Sequence, residues 1–275
     1  MSQPNAAEFL AFAGRLADAA AAVAAPYFQR PIEVDFKAVN SPVTEADRAV
    51  ETRLREIIAD AYPTHGVIGE ELPSERADAE HVWVIDPIDG TRSFINGVPL
   101  FTTLVALVRD GAPLLGVIDQ PILGHRWAGG GGVPTTFNGA AARVRPCKSL
   151  AEAVLCTSAP VYYTGDAVAP YERLRDAVHW VQYGADAYGF GLVASGFMDL
   201  GVESGLGVHD YCALAPVIES AGGVMTDWRG EPLTIHSDGR VLAAGDAATH
   251  AAALALLAGR RSGDTGAVVV TPPSN

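Results

Sequence analysis

The chain is poor in cysteine, in basic residues and in long apolar runs, and each shortage removes a class of protein. Three cysteines occur among 275 residues, Cys147, Cys156 and Cys212, far apart and in no CxxC pairing. Neither a disulfide framework nor a zinc knuckle is readable from that spacing, and reduced thiols suit a cytoplasmic chain. Lys and Arg number 19 against 32 Asp and Glu, a formal net charge of −13. A nucleic-acid binder needs a basic stripe to neutralise phosphates, and an anionic membrane surface attracts basic segments, so neither partner is expected. The Ala-rich stretch from Met1 to Arg30 is interrupted by Glu8, Arg15 and Asp18. It has no basic n-region and no run of about 20 uninterrupted apolar residues, so neither a signal peptide nor a membrane span is expected. No internal repeat is present.

What remains is enough for a large core. The apolar fraction is 49%, and 275 residues suit one large domain or two halves packed together. Asn5 to about Gln29 reads as a helix, with Phe9, Phe12, Leu16 and Val23 near helical spacing and Pro31 just beyond its end. A short strand, Ile32 to Phe36, leads into the turn at Asn40-Ser41-Pro42. Thr44 to Ala61 then reads as a helix whose apolar face is Ala46, Val50, Leu54, Ile57, Ile58 and Ala61. Thr44 caps it, with Asp47 three residues later in a near-capping-box arrangement.

From Val82 the period changes. Val82-Trp83-Val84-Ile85 reads as a buried strand ending in Asp86-Pro87. Phe101–Val108 and Leu114–Asp119 flank Arg109-Asp110-Gly111-Ala112-Pro113, which reads as a hairpin, and a second turns at Asn138-Gly139. Gly129–Gly132 lacks the Gly-Lys-Ser/Thr of a phosphate loop and reads as a flexible turn. Beyond Pro146 the pattern alternates. Strands near Val154–Thr157, Met198–Val202 and Val224–Thr226 are interleaved with helices near Pro170–Val178, Tyr188–Gly196, Tyr211–Ala221 and Ala247–Leu257. The division predicted is therefore an α+β half over residues 1–146, an α/β half over 147–261 and a mobile tail over 262–275.

The chemistry is concentrated in carboxylates. A strand delivers Asp86 and Asp89, three residues apart, into a turn shaped by Pro87 and Gly90. Like charges held so close cost Coulomb energy unless a cation or a proton compensates them. Hard divalent ions such as Mg2+ prefer these oxygen ligands, and the Ile88 carbonyl between the two adds another. Gly90 and Thr91 offer backbone N–H groups to a phosphate oxygen, particularly if a helix starts there. An EF-hand loop is excluded because Ile88 and Gly90 stand where oxygen-bearing side chains are needed. Glu70 and Glu71 follow a short apolar segment upstream. Downstream, Asp210 opens a helix and reads most simply as its N-cap.

Taken together, Thr44 with Asp47, Gly69-Glu70-Glu71, Asp86-Pro87-Ile88-Asp89-Gly90-Thr91, and Asp210 ahead of a helix ending in Ala221-Gly222-Gly223 resemble the inositol monophosphatase superfamily of magnesium-dependent phosphomonoesterases. The resemblance runs from about Phe36 to Gly230. It implies a layered αβαβα sandwich, with an antiparallel sheet in the first half and a mixed sheet in the second. By motif position it implies one Mg2+ on Glu70, Asp86 and the Ile88 carbonyl, a second on Asp86, Asp89 and Asp210, and a weaker third shared by Glu70. Asp47 and Thr91 are implied to orient the attacking water, Lys37 to lie near the phosphate, and the protein to form a homodimer.

Within the superfamily the sequence is most similar to the inositol-monophosphatase-like histidinol-phosphate phosphatases of histidine biosynthesis. Thr91-Arg92-Ser93-Phe94-Ile95, Leu115 to Trp127, Tyr183 to Tyr188, Ala213 to Glu219 and Thr226 to Gly230 carry that similarity. The resemblance places Asp186 and Glu203 against the leaving-group alcohol, where acids suit a substrate carrying an ammonium and an imidazole. His209 stands where inositol-specific members more typically have Trp. The alternatives on the same scaffold are an inositol-1-monophosphatase or a 3′(2′),5′-bisphosphate nucleotidase. An alternative of another class is a catalytically silent metal- or ligand-binding homologue.

Overall fold

The computed structural model describes residues 5–36 and 42–259. Lys37, the Asn40-Ser41 part of the predicted turn, and the tail from 262 lie outside the described residues. The first element, α1 (Ala6–Ala24), is opened by a capping box of Asn5 and Glu8 and turns Phe9, Phe12 and Leu16 into the core. A small hairpin of β1 (Val34–Phe36) and β2 (Pro42–Thr44) leads into α2 (Glu45–Ala61). The predicted apolar face of α2 is buried at Ala46, Val50, Leu54 and Ile58, whereas Ala61, at its last turn, is exposed.

A seven-stranded sheet follows in simple spatial order: β3 (Gly66–Gly69), β4 (His81–Asp89), β5 (Thr102–Arg109), β6 (Ala112–Gln120), β7 (His125–Gly130), β8 (Val133–Phe137) and β9 (Ala140–Ala141). It is antiparallel except at its edge, where β3 runs parallel to β4. Both predicted hairpins form, with Asp110-Gly111 and Asn138-Gly139 at positive φ as a tight two-residue turn demands. Gly129 and Gly130 belong to β7 and not to a turn. A Cβ on Gly129 would lie 2.2 Å from Thr135 Oγ1, so close strand approach is what requires glycine there. Between β4 and β5 a single helical turn, α3 (Thr91–Ile95), hangs over the sheet end.

The second half holds a five-stranded mixed sheet, β10 (Val154–Thr157), β11 (Trp180–Tyr183), β12 (Leu200–Glu203), β13 (Val224–Asp227) and β14 (Val241–Ala244), in spatial order β11-β10-β12-β14-β13. Its helices are α4 (Val168–Arg175), α5 (Asp186–Ala194), α6 (Val208–Tyr211), α7 (Leu214–Ser220) and α8 (Ala247–Leu257). The single helix expected over Tyr211–Ala221 is broken at Cys212-Ala213. Pro216 explains the break, because its ring would clash with the carbonyl of Cys212 in a continuous helix but is tolerated in the first turn of α7.

The layers are α1/α2, seven-stranded sheet, α5/α7, five-stranded sheet and α4/α8. Three apolar clusters fill the gaps. Alternate residues of β4 enter different clusters, Trp83 and Ile85 toward α1/α2 and Val82 and Val84 toward α5/α7. A strand buried on both faces needs apolar side chains on both, which is why this run shows no alternation. The third cluster joins the five-stranded sheet to α4 and α8 through Leu155, Tyr171 and Leu257. All three cysteines are free thiols, with Cys156 and Cys212 buried.

Candidate active site

The site forms where β4 ends. Asp86 pairs with Leu104 and Asp89 with Thr102, so one extra residue bulges from β4 between the two acids. Pro87 suits that bulge because it has no N–H to leave unpaired. Thr103 Oγ1 donates to the Pro87 carbonyl at 2.8 Å, and the Ile88 N–H donates to Asp86 Oδ1 at 3.0 Å. The bulge thus turns both carboxylates to one place while the Ile88 side chain stays in the core.

Asp210 arrives from the other half. It is the third residue of α6, and Oδ2 accepts the Gly207 N–H at 2.6 Å. Gly207 therefore holds the N-cap position expected for Asp210, and the acid closes the turn from inside. Asp86, Asp89 and Asp210 each present an oxygen within 4.8 Å of the others, and Glu70, Asp86 and His209 form a second such group. His209 thus brings a nitrogen to the cluster's edge, 3.5 Å from Asp210 Oδ1.

The electrostatics are those of a cation site. Burial, followed by repulsion from Glu70, Asp89 and Asp210, holds the Asp86 carboxyl well above the usual range. Burial, then Asp186 and Asp210, does the same to Asp89, and burial raises Asp210. Ordinary carboxylates would be ionised at neutral pH, so this cluster calls for protons or for divalent cations. The donors are nearly all oxygens, which fits a hard divalent ion such as Mg2+. Among the described residues lining the adjoining cavity, Arg92 is the one Lys or Arg side chain.

Asp47 makes the helix cap anticipated for it and leaves one carboxylate oxygen outside that cap. Its Oδ2 accepts the Thr44 N–H at 2.8 Å and the Thr44 hydroxyl at 2.6 Å, completing the capping box of α2. Its Oδ1 is buried with no hydrogen-bond partner among the described residues. Burial pushes the carboxyl up to about 6, and Glu70 adds to the rise. Thr91 Oγ1 donates to the Ile88 carbonyl at 3.1 Å, fixing the hydroxyl at the start of α3.

A cavity of about 410 Å³ opens beside the cluster, with Glu70, Asp89, Gly90, Thr91 and Asp210 on one side and Asp186 and Glu203 on the other. Glu203 lies at the end of β12, only 3% exposed, and accepts both the backbone N–H and the hydroxyl of Ser158. Its burial pushes the carboxyl up to about 8. Asp186, at a left-handed φ of 44°, starts α5; burial raises it, while hydrogen bonds from Ser158 and Ser93 oppose the rise. Asp89 Oδ2 accepts the Ala187 N–H at 2.9 Å, so the acidic cluster and the Asp186 turn are joined. Of the residues expected at the site, Lys37 alone lies outside the described residues.

Ser158 was not anticipated. Its signal is positional: it directly follows a strand of an α/β sheet, the end at which such sheets place their ligands. Glu51 was also unremarked, as a charged residue inside a helix. It is fully buried and accepts the backbone N–H groups of Glu71 and Leu72, which follow Glu70.

An αβαβα sandwich with acids converging from both halves is the architecture of metal-dependent phosphatases, and the comparisons give the same class. The chain matches the inositol monophosphatase family over residues 5–261 and belongs to it. It is 44% identical over 255 residues to the bifunctional phosphatase IMPL2 of Arabidopsis thaliana, covering 90% of this chain and 74% of that protein. It is 36% identical over 236 residues to a histidinol-phosphatase of Chlorobaculum parvum, covering 85% of this chain and 91% of that one. Among solved structures, an inositol monophosphatase from Zymomonas mobilis superposes with a TM-score of 0.85 at 42% identity, covering 93% of this chain and 100% of that one. The protein is a phosphatase acting on small phosphate monoesters.

Proposed function

We propose that this phosphatase uses Mg2+ to hydrolyse histidinol phosphate to histidinol and inorganic phosphate. The observation that carries the reading is the pair of acids, half-buried Asp186 and buried Glu203, gathered on Ser158 across the cavity from the acidic cluster. A polyol is served by neutral hydrogen-bond groups. Two acids in a cavity already rich in carboxylates suit a leaving group that carries an ammonium. Similarity to a histidinol-phosphatase over most of both chains supports the same substrate.

In this reading Glu70, Asp86 and the Ile88 carbonyl would hold one Mg2+, and Asp86, Asp89 and Asp210 another, with Glu70 shared by a weaker third. Bound there, Mg2+ would acidify water and neutralise charge on the attacking and leaving oxygens. Asp47 uses its free Oδ1 to orient the attacking water and take its proton, while its Oδ2 stays tied to Thr44. Thr91 holds the same water from the side of α3, and Gly90 and Thr91 line the wall met by the phosphate. The water oxygen bonds to phosphorus as the bond to the alcohol oxygen breaks, and that oxygen is protonated to give free histidinol. Lys37 is assigned to the phosphate by resemblance.

The Zymomonas relative's name favours a second reading, inositol 1-phosphate. Phosphate release with Mg2+ from histidinol phosphate, inositol 1-phosphate and adenosine 3′,5′-bisphosphate separates the candidates. The highest kcat/KM is expected for histidinol phosphate. Turnover of inositol 1-phosphate with none of histidinol phosphate would refute the assignment.

A further inference from the structure

The cavity rim carries one aromatic side chain that neither the metal chemistry nor the pair of acids uses. Tyr162 ends the short turn Pro160–Tyr162 that follows β10 and Ser158, and it is 40% exposed. Its chain neighbour is the anchor: Tyr163 is buried, stacks on Tyr171 with ring centroids 3.8 Å apart, and donates its hydroxyl to the Val202 carbonyl at 2.9 Å. A segment pinned in this way holds Tyr162 at the rim instead of letting it swing.

From the opposite half, Arg92 of α3 reaches across the mouth. Its Nη1 donates to the Tyr162 hydroxyl at 2.6 Å, and its guanidinium carbon lies 5.4 Å from the ring centroid. The contact joins the motif that carries the metal ligands to the segment that carries Ser158. The charge of Arg92 also lowers the Asp186 carboxyl, while its side-chain hydrogen bond goes to the aromatic hydroxyl. A rigid ring at the rim, above acids deeper in the cavity, matches a leaving group with a planar ring at one end.

We infer that Tyr162, positioned by Arg92, is the specificity-determining contact for a planar ring on the leaving group, separate from the acids that take its ammonium. The inference deepens the proposed function and rests on it for the identity of the ring, an imidazole. Stacking on an aromatic face favours a flat π system over a puckered polyol or an aliphatic chain. Arg92 is a positioning residue: it fixes the ring plane through the hydroxyl.

Four phosphates test this. Histidinol phosphate has ring and ammonium, ethanolamine phosphate the ammonium alone, 4-nitrophenyl phosphate the ring alone, and glycerol phosphate neither. Tyr162→Ala is expected to lower the kcat/KM ratio of each ring-bearing phosphate to its ringless counterpart about five- to tenfold, chiefly through KM. Tyr162→Phe should keep most of the ratio. Arg92→Ala should lower it less, again through KM, and Arg92→Lys should restore part. Unchanged ratios in Tyr162→Ala, or an equal kcat loss on all four phosphates, would overturn the inference. Failure of the unmodified protein on histidinol phosphate would instead refute the substrate assignment, and the 4-nitrophenyl to glycerol phosphate ratio would still judge Tyr162.

Discussion

The carboxylate of Glu51, inside α2, accepts the backbone N–H of Glu71 at 2.7 Å and so fixes the chain immediately after the metal-cluster residue Glu70. Oε1 also accepts the Leu72 N–H and pairs with Arg55, whose side chain is 10% exposed. No Cβ could stand at Gly69, since it would lie 2.1 Å from Glu51 Oε1. The helix thus holds the Glu70 loop with a buried charge instead of a packed side chain.

Glu51→Ala should therefore cost both stability and metal. Breaking a buried ion pair from one side costs about 3–5 kcal/mol, and losing an outer support typically weakens a metal site about 10- to 100-fold. Urea unfolding and Mg2+ titration by calorimetry measure the two losses. A normal Mg2+ affinity in the folded variant would show that the loop holds its place without Glu51.

The metal-free protein should lose stability as pH rises. Asp86, Asp89 and Asp210 have carboxyls raised by burial and mutual repulsion, so the folded state binds protons that the unfolded state releases. Their stabilising effect is complete below the ordinary carboxylate pKa and fades as pH climbs through their raised values. After chelation, Tm should fall as pH rises above the ordinary carboxylate range, and saturating Mg2+ should flatten that fall. At 100 times its Kd, Mg2+ adds about 2.7 kcal/mol per site. Asp89→Asn should raise the metal-free Tm at pH 8 yet abolish turnover, and an unaffected rate would refute the metal mechanism.

Glu203 permits a cleaner pH experiment because it sits apart from the metal ligands on β12. Its carboxyl is raised from 4.5 to about 8 by burial. Its contribution is full below about pH 4.5 and disappears as pH passes about 8. Glu203→Gln keeps an acceptor for Ser158 and removes the titration. The variant should gain Tm over the unmodified protein at pH 8 and match it at pH 5. It should also lose selectivity for amine-bearing phosphates, measured as ethanolamine phosphate against glycerol phosphate. Parallel Tm profiles would show that Glu203 does not titrate in this range.

The acids of the site were legible because two of them share one short motif, and because Thr44 and Asp47 form a local capping box whose partners are three residues apart. Contacts of long separation were not. The bond between Ser158 and Glu203 joins residues 45 apart, and that between Arg92 and Tyr162 residues 70 apart. Short strands suffered similarly. β11 is an edge strand with Trp180 and Tyr183 exposed, so it has no buried face to impose alternation. β3 shows in the sequence only as the short apolar segment before Glu70, because its partner, β4, is parallel and lies beyond a long connection. The charge balance also misleads by itself. A net charge of −13 repels a phosphate dianion until position is considered, and the converging acids are what would draw the cations that reverse the local sign.

Packing in the middle layer also reaches the metal site, and a single methyl group should show it. Gly116 of β6 faces the break between α6 and α7, where a Cβ would lie 2.1 Å from the carbonyl oxygen of Ala213. Both partners of that clash are backbone, so no side chain can swing aside. Gly116→Ala must push the α6–α7 corner off the sheet, and Asp210 lies three residues before Ala213. Overpacking of this kind costs about 1–3 kcal/mol, readable by urea unfolding. The functional effect should be selective. Asp86 and Asp89 stay fixed on β4, while Asp210 moves away from them, so Mg2+ affinity at the Asp86–Asp89–Asp210 group should drop more than at the site assigned to Glu70, Asp86 and the Ile88 carbonyl, none of which lies on α6. Calorimetric titration resolving two classes of site would show one class weakened more than the other. Equal loss at both classes would mean that the corner and β4 shift together.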